Sequence, residues 1–385
     1  MSKLQPNILI SLIFSLFIMS PVAYAAVLED LYLVEVQGDA ETSREQLQRE
    51  ATEVMLTRLA GAELDLSAAV IEQAMQDPRQ LMRRVGARSE SGRMQVEFEP
   101  GLLRDLLAEA GLPLLGRNRP GTLLWAVVSG PMGDELLAPG SDWADALRQA
   151  AEYRGVALLL PLGDLEDRVA LDEADIRSGD ADVIRAASER YAAEGLLAVT
   201  LDPASDEWEL AWQFWLDDTH SQEQQGSATQ AEHADRLMLA VANRVHARYA
   251  VVPASRESGA EQEWKLVVRG VEGLQTYASL QRSLSQLGAQ SSLQLLGIAD
   301  DTLTLALTFA GEREQLLRLL SLDQRLYPAS APDVVSAVEP VMDISLPLDG
   351  ELPTAAELAV QRQALEETAA AAARQRERTL YFDWR

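Results

Sequence analysis

The chain has 385 residues, with 60 acidic against 33 basic side chains, a formal charge of −27 and no cysteine. Such a charge repels nucleic acid and anionic lipid, whose recognition needs clustered Lys and Arg. The missing cysteine excludes disulfides, thiolate zinc sites, a cysteine nucleophile and an acylated lipoprotein anchor.

Residues 1–25 read as a secretory signal. Lys3 gives a basic start, residues 8–19 are apolar but for Ser11 and Ser15, and Ala23-Tyr24-Ala25 supplies small residues at −3 and −1. That run is too short to span a bilayer. Cleavage after Ala25 predicts an exported, periplasmic protein with no integral membrane segment.

Residues 26–116 predict an α+β domain. LYLVEV at 31–36 reads as a strand. Ser43 with Gln46 forms a capping box before a helix whose stripe is Leu47, Ala51, Val54, Met55 and Leu59, stopped by Gly61. Residues 67–76 continue as helix. Met94, Val96 and Phe98 share one face of a strand over 93–99, and Pro100 opens a helix closed by Gly111.

Gly116-Arg117-Asn118-Arg119-Pro120-Gly121 is a basic boundary in an acidic chain. Residues 122–250 predict an α/β domain. Apolar strands at 122–129, 156–160 and 196–201 alternate with helices at 142–153 and 181–193, as in a sheet covered on both faces. Gly130-Pro131-Met132-Gly133 reads as a turn. On the strand 207–217, Trp208, Leu210, Trp212, Phe214 and Leu216 face inward and Trp215 outward, with a hairpin partner at 221–229. A helix over 230–249 aligns Leu237, Val241, Val245 and Tyr249.

Residues 263–327 predict β-α-β-β-α-β, a ferredoxin-like split βαβ module. From 328 to 385 an acidic, proline-broken linker leads into an alanine-rich helix over 354–378. Tyr381-Phe382-Asp383-Trp384 then offers aromatic anchors for a partner. The fold class expected is thus α+β and α/β, as small mixed-sheet modules followed by a flexible tail.

Chemistry-bearing motifs are few. G-x-S-x-G, H-E-x-x-H, G-x-G-x-x-G and the P-loop pattern are all missing. His233 and His246 stand 13 residues apart on one helix, wrong for a shared metal. No cofactor or metal is expected. The candidate binding residues are the basic loop Arg117, Asn118 and Arg119, the acids Asp164, Glu166 and Asp167 beyond a strand end, and Trp215 as a stacking surface.

The chain resembles a family of uncharacterised exported proteobacterial proteins defined by the domain of unknown function DUF2066. The likeness rests on LYLVEV, Arg58-Leu59-Ala60-Gly61, GLPLLGRNRP running into TLLWAVV, LLLPLGDLEDRVAL at 158–171 and the Trp-rich strand, over residues 30–250. It implies fold and export and carries no catalytic residues. The reading that follows is a non-enzymatic cell-envelope binding or interaction module, with envelope proteins as partners. The alternatives are a carboxylate-dependent hydrolase of cell-wall material and a small-ligand (glycan) binder.

Overall fold

The computed structural model describes residues 28–62, 64–65, 67–253, 262–288, 290–331, 362–363 and 377–385. The predicted signal and most of the alanine-rich helix fall outside the described residues. The rest is mixed α and β structure on three sheets.

The first sheet runs β1 (Leu33–Gln37), β3 (Arg93–Phe98), β2 (Met82–Val85), all antiparallel. Against it pack α1 (Arg44–Ala60), α2 (Ala69–Gln76) and α3 (Pro100–Glu109). The alternation of β1 and β3 puts Val34, Val36, Met94, Val96 and Phe98 under Leu47, Ala51, Met55 and Leu59 of α1. The capping box forms as the spacing predicts: Ser43 Oγ accepts from Gln46 N at 3.1 Å, and Ser43 N donates to Gln46 Oε1 at 2.7 Å. Strand β2 has no counterpart in the sequence reading, because Met-Arg-Arg-Val shows no apolar alternation; it is a four-residue edge.

The second sheet carries β4 (Thr122–Gly130), β5 (Gly133–Leu136), β6 (Leu158–Leu159), β7 (Gly195–Ala204), β8 (Glu207–Leu216) and β9 (Thr219–Ala228). Its order is β5-β4-β7-β8-β9, with β6 beside the start of β4. Strands β4 and β7 are parallel and central, which explains their unbroken apolar runs. Helices α4 (Asp142–Arg154) and α8 (Gln230–Tyr249) cover one face. The short helices α6 (Glu173–Ser178) and α7 (Ala181–Ser188) cover β4 and β7 on the other, and α5 (Leu165–Ala170) lies against α7. Gly130 and Gly133 close a hairpin turn into β5.

The third sheet follows the expected order, β10 (Gln262–Arg269), α9 (Gly273–Ser285), β11 (Gln290–Ala299), β12 (Thr302–Phe309), α10 (Arg313–Leu320) and β13 (Leu326–Pro328). Strand β12 lies between β10 and β11, the split βαβ arrangement. One feature departs from expectation. Residues 379–384, expected as partner anchors on a tail, form β14 (Thr379–Trp384). It inserts between β10 and β13, parallel to the first and antiparallel to the second. Leu380 and Phe382 alternate into the core, and Arg269 holds Asp383 at 2.8 Å. The aromatic run is therefore an interior strand of a sheet.

The cores of the second and third sheets are continuous, from Trp143, Trp212 and Val241 to Leu266, Leu305 and Phe382. The connecting segments pair with each other: Leu114 and Val251 exchange both backbone bonds, at 2.8 and 3.1 Å.

Candidate functional site

The basic loop after α3 is internal. Arg119 is 2% exposed, and its guanidinium donates only to carbonyls: Gly116 O at 3.1 Å, Leu115 O at 3.1 Å, Gly155 O at 2.7 Å and Arg58 O at 2.7 Å. Arg58 is buried beside it and donates to Leu31 O and Leu33 O, each at 2.9 Å. Burial lowers both arginines, and each stays charged at neutral pH; Arg119 is lowered further by Arg58. His246 completes the cluster, with Nδ1 2.8 Å from Ala242 O and Nε2 3.2 Å from Arg58 O. Desolvation, aided by Arg119, pushes its pKa down to about 4. Backbone dipoles from β1, α1, α4 and the linker thus neutralise two like charges where the first two sheets meet.

Asn118 is equally buried, with Nδ2 3.5 Å from Ser283 O of α9. The backbone of Gly116 lies against Gly288, where any added side chain would collide with backbone. Arg117 is half-buried over the Tyr32 ring, 5.0 Å from its centroid, beside a cavity of about 650 Å³ also lined by Arg282 and Asp30. Of the three loop residues, then, only Arg117 borders solvent-accessible space.

The three acids converge on one cation. Arg190 meets Asp164 at 3.0 Å, Asp167 at 3.2 Å and Glu166 at 3.4 Å. Asp164 caps α5 through Asp167 N. Asp167 is 1% exposed and also accepts from Tyr191 Oη at 2.6 Å and Gly163 N at 2.8 Å. Hydrogen bonding from Arg190 lowers the Asp164 pKa, while burial and Asp167 raise Tyr191 to about 12. A general acid needs a carboxyl held protonated, and Asp164 is driven the other way. The cluster fastens α5 to the segment after α7.

Trp215 points to the outer face, as alternation predicts. His220 of β9 stacks on its ring at 5.1 Å and an interplanar angle of 14°. The same histidine places Nε2 3.2 Å from Gln213 Oε1. Because α6 and α7 stop over β7, the outer face of β8 and β9 stays open beside α6. There Gln213, Gln222, Glu223, Gln224, Thr200 and Arg177 line a cavity of about 440 Å³. Gln213 is oriented from both sides, since its amide nitrogen lies where any Cβ on Gly179 would sit. Gly179 is also left-handed, at φ 65°. Arg177 is fixed at the rim by Asp134, by Asp202 at 2.8 Å and by Ser129 Oγ at 2.5 Å. The result is a concave surface of amides and a hydroxyl beside Glu223, its one cation already balanced by two carboxylates.

Gln213, Gln222 and Gln224 are residues that sequence reasoning missed. Their signal was present as the polar phase of the β8 and β9 alternation, opposite the aromatic phase. Among the described residues, no group of three or more His, Asp or Glu is placed to hold a metal ion.

Residues 25–116 match the family model of a domain of unknown function, DUF8605. The match spans the first sheet with its three helices and ends at Gly116, where the buried junction loop starts. No curated protein matches the chain.

Proposed function

We propose that this chain is an exported cell-envelope protein, a binding module that takes an uncharged polar ligand of the carbohydrate class on the open face of its second sheet. The observation that carries the reading is the 440 Å³ cavity lined by three glutamine amides and Thr200. Amides and hydroxyls match sugar hydroxyls as both donors and acceptors. The lining is dominated by uncharged polar groups, with Arg177 and Glu223 its charged members, which suits an uncharged polar ligand. Trp215 serves as the buttress under His220, which fixes Gln213. The apolar leader at 8–19, the Ala23-Tyr24-Ala25 site and the resemblance to the DUF2066 family support export. The tether of Asp164, Glu166 and Asp167 to Arg190 favours binding over carboxylate-driven hydrolysis.

Isothermal titration of the full chain with N-acetylglucosamine oligomers and with solubilised wall glycan tests the site. Replacing Gln213 and Gln222 together by Ala is expected to weaken binding roughly tenfold or more, about 1.4 kcal/mol. No heat with the unaltered chain, or equal affinity in the variant, rejects the reading. Mass spectrometry of the envelope fraction should find the chain starting at Ala26.

A further inference from the structure

Sheet edges present unpaired backbone donors and acceptors, and proteins protect them by shortness, charge or proline. Most edges here follow that rule. Strand β1 carries Glu35; β2 is four residues with Arg83 and Arg84; β5 is four residues with Asp134 and Glu135; β13 is three residues ending in Pro328. Strand β9 is long but mostly polar, with Glu223. Strand β11 is the exception. It is ten residues long, Gln-Ser-Ser-Leu-Gln-Leu-Leu-Gly-Ile-Ala, without one charged side chain, in a chain that is 24% charged.

Its geometry leaves apolar surface unfinished. Among the described residues, strand β11 bonds only to β12 and ends the sheet. The core-facing rows run Leu305 to Leu295 and Leu303 to Ile298 across that last pair. Leu305 and Leu303 are 2% exposed, whereas Leu295 is 43% and Ile298 66% exposed. The register shift between Leu295 and Gly297 adds Leu296 opposite no partner, at 55% exposure. The core thus continues to the edge of the sheet, where Leu295, Leu296 and Ile298 are exposed with no cover among the described residues.

We infer that β11 is a self-association edge, pairing antiparallel with β11 of a second copy about a twofold axis and joining two five-stranded sheets into one of ten. Charge selects the partner and the direction. Two chains of charge −27 repel wherever their surfaces are acidic, and β11 offers a strand-length surface without that repulsion on both sides of the contact. Asp300 and Asp301 sit in the turn at one end of the strand. Parallel pairing would bring four carboxylates together. Antiparallel pairing sets the two turns at opposite ends, about 30 Å apart for ten residues, beyond the screening length. A twofold axis also makes the interface isologous, so the assembly closes at two.

The chain has no cysteine, so single introduced thiols report the contact cleanly. Sedimentation of the full chain over a roughly hundredfold concentration range is expected to show a dimer. Gln294→Cys, near the centre of β11, is expected to oxidise to a covalent dimer, whereas Ser227→Cys on β9 is not. Leu296→Lys, at an exposed position outside the core rows, is expected to abolish the dimer with circular dichroism and melting unchanged; Ile298→Lys provides the second charge variant. A strictly monomeric unaltered chain overturns the inference. So does a dimer that survives both lysine variants, or equal cross-linking from Ser227→Cys.

Discussion

Arg119 binds four carbonyls from three stretches of chain, and its removal strips donors from acceptors that water cannot reach. Each orphaned buried carbonyl costs about 1–3 kcal/mol, offset in part by relief of the repulsion with Arg58. Arg119→Met is therefore expected to lower unfolding stability by about 2–4 kcal/mol in urea titrations, and Arg119→Lys to recover only part, lacking the planar fork. His246 makes the same junction acid-sensitive. Its folded pKa of about 4 lies below the unfolded 6.5, so between those values the unfolded chain binds more protons and acid favours unfolding. Stability from this group is complete above pH 6.5 and is lost as pH falls towards 4, by up to about 3 kcal/mol. His246→Gln should lack that increment when urea midpoints at pH 7.5 and 5 are compared. Gly179→Ala meets both a left-handed backbone and the Gln213 amide; a loss of about 1–2 kcal/mol, with weakened glycan binding, is expected by titration calorimetry. In sequence, Arg117-Asn118-Arg119 reads as a basic surface loop. Charge is a one-dimensional property, and the carbonyls that neutralise Arg119 come from positions 58, 115, 116 and 155.

At the scale of elements, periodicity carried most of the information. The α1 stripe, the β3 alternation, the α8 row and the two phases of β8 all lie where residue type puts them, since a half-buried helix or strand writes its face into its own sequence. Elements that lack an apolar face of their own were illegible: β2, and the brief helices α5 and α6, held by caps at Asp164 and Asp172. Strand β14 was missed for a different reason. Its alternation is clear, with Leu380 and Phe382 on one side, but its partners β10 and β13 are remote and the fifty intervening residues 329–378 carry no such pattern. Phe382→Ala is expected to cost about 3–5 kcal/mol, the usual penalty for emptying a buried aromatic site, read as a lowered melting temperature.

The whole molecule is more integrated than three separate modules. The second and third sheets share one core, and Arg58, Arg119, Asn118, Leu114 and Val251 join the linkers to all three sheets. That integration explains why the acids and bases most visible in the sequence are spent internally. It leaves the β8–β9 face open as the proposed site, which was half legible: the outward phase of β8 is readable, whereas the short reach of α6 and α7 that exposes it is a tertiary fact.

The position of β14 has a temporal consequence. A chain leaves the ribosome in order of its residues, and β13 emerges well before its neighbour β14. Until residues 379–384 arrive, β10 keeps an unzipped flank and β13 has nothing to lie against. Completion of that sheet therefore waits for residues 379–384, long after β10 and β13 have been made.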